Sequence, residues 1–123
     1  MKKILIIEDE KIIRNELKSL LENSGYEVLI IEKFDNVKEN IKKMKFDLIL
    51  MDIQMPVMNG YDAAKRIRSS CHPDAGSVPI FAMTADAFAE DIELAKKVGM
   101  NSHLAKPLDI PAMMREIKKY LRL

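Results

Sequence analysis

Five short apolar runs, each followed by a stretch with helical spacing, govern what this chain can fold into. The first run, KILIIE (Lys3 to Glu8), is rich in β-branched residues and too short for a helix, which predicts a strand. DEKIIRNELKSLLENSG follows, with Ile12, Ile13, Leu17, Leu20 and Leu21 at helical spacing and Gly25 as the stop. YEVLIIE predicts a second strand. DNVKENIKKM predicts a short amphipathic helix with Val37, Ile41 and Met44 on one face and Asp35 or Asn36 as its cap. FDLILMD is the third strand, GYDAAKRIRSS a helix, and CHPDAGSV a loop by composition. PIFAM is the fourth strand, and AFAEDIELAKKVGM a helix ended by Gly99. SHLA is a short fifth strand, and DIPAMMREIKKYLRL a last helix with Asp109 as cap and Pro111 in its first turn. Strand and helix alternating in this way build an α/β fold, a parallel sheet with helices on both faces. Strands that are apolar throughout suit burial from both sides.

The 123 residues suit one domain, spanning 1–123, around one core. Lys and Arg number 20 against 19 Asp and Glu, a net charge of +1, so nothing demands nucleic acid or an acidic membrane as partner. No apolar run approaches the ~20 residues that span a bilayer. The N-terminal MKKILIIEDE lacks the longer apolar segment and small-residue cleavage site of a signal peptide. A lone cysteine, Cys71, permits no internal disulfide and no cysteine-based zinc site. The simplest expected location is a reducing cytoplasm.

Open parallel sheets bind ligands beyond the carboxyl ends of their strands. Glu8, Asp9 and Glu10 follow strand one; Asp52 follows strand three; Thr84, Ala85 and Asp86 follow strand four; Lys106 and Pro107 follow strand five. Neither Gly-rich phosphate-loop pattern occurs among the 4 glycines. Two carboxylates ~4 Å apart repel by ~4 kcal/mol at an effective dielectric near 20. Converging acids therefore take up a proton or a cation, and carboxylates with water suit Mg2+. A metal, a lysine and a threonine together fit a phosphoryl group, with Asp52 as the nucleophile that becomes an aspartyl phosphate.

Four segments, ILIIEDE, DLILMDIQMPVMNGYDAAKRIR, VPIFAMTADAF and GMNSHLAKPL, resemble the receiver domain of two-component response regulators, in the family's order and along essentially the whole chain. The resemblance implies a flavodoxin-like fold with five parallel strands in the order 2-1-3-4-5 and five helices. It also implies Asp52 as the phosphoacceptor and Glu8 and Asp9 as the acidic metal pair, Asp9 the direct ligand. Gln54 would lend a backbone carbonyl to the metal. Thr84 would be the hydroxyl that binds the phosphoryl group and moves on activation, and Lys106 the phosphate-contacting lysine, aimed by a cis bond to Pro107. Two positions depart from the commonest pattern. Glu8 stands in place of the frequent aspartate. His103 stands where tyrosine or phenylalanine often acts as the switch residue, and imidazole is smaller and can carry charge.

The wording of these segments is similar to receivers inside hybrid sensor histidine kinases. A piece of such a kinase is therefore expected, on the cytoplasmic side of a membrane-anchored chain; a free-standing single-domain regulator is the alternative. The expected partner is a histidine kinase or histidine phosphotransfer domain, docking over the strand ends against the first helix near Ile12 and Ile13. Direct contact with nucleic acid or membrane is not expected, and a homodimer on phosphorylation is compatible with the family. Such a domain promotes its own phosphorylation and dephosphorylation but is mainly a switch. A small phosphatase with an aspartyl intermediate would need a general acid near Asp52, and the sequence offers none. A receiver that only binds partners would lack one of the site residues, and here none is missing.

Overall fold

The structure, a computed structural model, describes residues 2–8, 10–31, 46–52, 78–84, 93, 96–97, 99–106 and 108–121. Five strands form one parallel sheet: β1 (Lys3–Ile7), β2 (Glu27–Ile31), β3 (Leu48–Asp52), β4 (Ile80–Thr84) and β5 (Ser102–Ala105). Their order is β2-β1-β3-β4-β5, as the family resemblance implies. Two described helices are α1 (Lys11–Asn23) and α2 (Ile110–Leu121). The helices expected at 35–44 and 60–70 lie outside the described residues, as does most of the one expected at 87–100; its end at Gly99, with φ +94°, is described.

The central strands β1, β3 and β4 carry the core. Ile4, Ile6, Leu48, Leu50, Phe81 and Met83 pack on one face against Leu17 and Leu21 of α1 and Met113, Ile117 and Leu121 of α2. On the other face Leu5, Ile7, Ile49, Met51, Ile80 and Ala82 are buried as deeply. Both faces are thus covered, which is why the interiors of these strands are apolar at successive positions instead of alternating. Each large aliphatic side chain so buried contributes about 1.5–3 kcal/mol of transfer free energy. The edge strands β2 and β5 are only partly buried.

Local chemistry sets the helix ends. Gly25, at φ +95°, accepts the left-handed turn after α1, and the Ser24 and Gly25 amides return to carbonyls of the last turn. Asp109 caps α2: its Oδ1 accepts the Ala112 N–H at 3.1 Å, and Pro111 follows in the first turn. The buried stripe of α1 is narrower than the apolar series in the sequence. It runs Arg14, Leu17, Leu21, while Ile12 is 68% exposed. Spacings of three and four residues from Arg14 place its long aliphatic stem on the core side. Ile12, two positions earlier, then points out.

Candidate functional site

Register places the site. Ile7 pairs with Met51 between β1 and β3, so the next residues, Glu8 just beyond β1 and Asp52 at the end of β3, stand side by side. Both continue the parity of Ile4, Ile6, Leu48 and Leu50, and both are buried. On the far side Thr84 pairs with Ala105, and Lys106 follows at once. The Lys106 amide donates to the Thr84 carbonyl at 2.7 Å, which fixes where the lysine side chain begins.

That side chain turns back across β4 to the acids. Its Nζ donates to Glu8 Oε2 at 3.0 Å and lies 3.5 Å from Asp52 Oδ2. Glu8 Oε1 accepts the Glu10 N–H at 3.2 Å, and the Glu8 carbonyl accepts from the Arg14 guanidinium at 3.3 Å. Burial pushes the Glu8 carboxyl up to about 7, against the Lys106 hydrogen bond, and the nearby Asp52 charge pushes the same way. Burial pulls Lys106 down, yet the hydrogen bond and charge of Glu8, with the charge and the weaker hydrogen bond of Asp52, outweigh it and leave the ammonium held above its ordinary value.

Glu8, Asp52 and Lys106 are thus brought together as expected. Thr84, expected just after strand four, is the last residue of β4 and is buried. His103 lies in β5, half-buried and opposite Ala82. Asp9, Gln54, Ala85, Asp86 and Pro107 lie outside the described residues. Among the described residues no three His, Cys, Asp or Glu side chains converge. The donors present are carboxylate oxygens, and two buried carboxylates share one ammonium. Burial first, and then the neighbouring Asp52 charge, disfavour a second negative charge on Glu8. Oxygen donors with excess anionic charge fit a hard divalent cation such as Mg2+.

Two features were missed in the sequence. Arg14 has a legible signal, the i, i+3, i+7 series it shares with Leu17 and Leu21. An apolar groove of about 380 Å³ also runs between α1 and the start of α2, lined by Ile13, Glu16, Leu17, Leu20, Leu108 and Ile110. Ile13 was expected there. Leu108 and Ile110 come from the far end of the chain and carry no local signal.

The model of the response regulator receiver domain matches residues 4–118, and the chain belongs to this family of two-component signalling modules. The CAI-1 autoinducer sensor kinase/phosphatase CqsS of Vibrio cholerae serotype O1 is 32% identical over 98% of this chain, which spans 17% of that protein. The polar-differentiation response regulator DivK of Brucella anthropi is 30% identical over 98% of this chain and 96% of its own length. The receiver domain of the sensor histidine kinase PA1611 from Pseudomonas aeruginosa PAO1, solved with magnesium in its active-site cleft, superposes with a TM-score of 0.87. It is 30% identical, with 99% of this chain and 98% of that one covered. Relatives therefore include both sensor kinases and regulators of about this length. Receiver domains work with histidine kinases or phosphotransfer partners. No helix among the described residues is long and apolar enough to cross a membrane.

Proposed function

We propose that Asp52 takes a phosphoryl group from a phosphohistidine and that the domain changes conformation in response. One observation carries this reading: a single ammonium is shared by two buried carboxylates at the ends of β1 and β3. An Asp52 oxygen attacks phosphorus in line. The phosphorus–nitrogen bond breaks as the phosphorus–oxygen bond forms, and the imidazole leaves with the electron pair. Lys106 needs only a small movement to meet the oxygens of the arriving group. The Thr84 hydroxyl donates to another of them, and this pull on the end of β4 reaches β5 and His103 through their register. Water attack on phosphorus later releases inorganic phosphate and restores the carboxylate, or the group passes to another histidine.

Asp9 and Asp52 would hold Mg2+ directly, with the Gln54 backbone carbonyl, and Glu8 would reach it through water. The ion supplies neutralisation of phosphoryl charge. The partner docks on α1 and the loop before α2. Exposed Ile12 on α1 and the apolar groove from Ile13 to Ile110 supply the apolar docking surface, with Glu16 offering a charge to a basic residue of the partner.

Incubation with Mg2+ and acetyl phosphate tests the reading. Uptake of an acid-labile phosphate that is lost in Asp52→Asn supports it. A folded, Mg2+-loaded protein that takes up none overturns it.

A further inference from the structure

The Lys106 ammonium sits closer to Glu8 than to the nucleophile. At 3.0 Å the Glu8 contact is a charge-assisted hydrogen bond of good length; at 3.5 Å the Asp52 contact is the longer and weaker of the two. Glu8 is itself held in place. Its second oxygen takes the Glu10 amide, its backbone carbonyl takes Arg14, and its side chain is fully buried. A carboxylate with both oxygens engaged by its own chain is placed to anchor a cation that the chain supplies. Reach matters as well. An aspartate at this position would end one carbon–carbon bond, ~1.5 Å, short of where the glutamate carboxylate stands.

From this geometry we propose that Glu8 is a positioning residue: in the resting domain it holds the short bond of Lys106, keeping the ammonium near Asp52 without closing on it. This rests on the reading of Asp52 as phosphoacceptor. Lys106 and a divalent cation carry like charge and compete for the same Asp52 carboxylate. A lysine anchored on Glu8 competes less, yet waits within a short movement of the incoming phosphoryl oxygens. When the phosphoryl group arrives, new anionic oxygens outbid Glu8 and the lysine transfers to them. The length of the glutamate, and not only its charge, then sets how strongly Asp52 takes the metal.

Glu8→Asp separates length from charge. The Lys106 ammonium resonance is followed by 15N NMR in the metal-free protein, and Mn2+ affinity is measured by the loss of its free EPR signal. In the wild type, Glu8→Gln shifts the ammonium resonance strongly and Asp52→Asn shifts it little. In the Glu8→Asp background the sensitivity moves to Asp52→Asn, and Mn2+ affinity falls at least threefold although the charge is kept. An ammonium resonance as sensitive to Asp52→Asn as to Glu8→Gln in the wild type overturns the inference. So does Mn2+ affinity unchanged or raised by Glu8→Asp, the result expected if Glu8 served only as negative charge for the metal. A wild-type protein that binds no divalent cation, with the ammonium resonance still controlled by Glu8, overturns instead the functional reading on which the inference rests.

Discussion

Lys106 and Glu8 are 98 residues apart in the chain, and their side chains meet at 3.0 Å beside Asp52. The parallel register of four strands brings them together. β4 hands the lysine its starting point through the Thr84 carbonyl, and β1 delivers the glutamate beside the end of β3. The ammonium contacts both buried carboxylates, and the expected behaviour of the site follows from that.

Removing this ammonium leaves the acids to face each other. Lys106→Met is expected to destabilise the metal-free domain by about 3 kcal/mol near neutral to mildly alkaline pH, the cost typical of stranding a buried charge. The loss shrinks under mildly acidic conditions, where Glu8 takes a proton and needs no counter-charge. Urea unfolding at both pH values measures the difference. Equal losses would contradict the account.

Protons act on the intact site in a direction fixed by Glu8. Its folded value of about 7 lies above the ordinary 4.5, so between those values the folded chain holds more protons than the unfolded one. The contribution from this group is full below about pH 4.5 and is lost as pH rises through about 7. Lys106, raised from an already high value, changes nothing in that window. Metal-free protein should therefore lose melting temperature on this account as pH rises from about 5.5 to 8. Saturating Mg2+, which competes with the proton, should flatten or reverse the trend. Thermal unfolding with EDTA and with Mg2+ checks both signs.

Ile12 tests the docking surface. At 68% exposure it supports little of the fold, so Ile12→Asp should alter stability by no more than about 0.5 kcal/mol. Transfer from a phosphorylated histidine domain should slow at least tenfold relative to uptake from acetyl phosphate. A proportional change in both rates would place the effect in the site and not in docking.

The central strands were readable in the sequence because they are buried on both sides and so run apolar at successive positions up to their carboxyl ends. Gly25 and Asp109 were readable because a left-handed turn and an exposed helix start select particular residues. Asp52, Thr84 and Lys106 stood out as site candidates because each stands at a strand end within a family pattern; the roles given to them are the proposal. The preference of Lys106 for Glu8 over Asp52 was not readable. It depends on one methylene and a few tenths of an ångström, which no spacing encodes. Ile12, read both in the apolar series of α1 and on its outer surface, is exposed because the buried stripe takes Arg14, Leu17 and Leu21.

The most direct measurement is phosphate uptake at Asp52 itself. Wild-type protein with Mg2+ and acetyl phosphate should acquire one phosphoryl group, located on Asp52 by borohydride reduction and peptide mass analysis. Chelation of the metal or Asp52→Asn should abolish it while the fold persists. Phosphate found on another residue, or undiminished uptake in Asp52→Asn, would contradict the account.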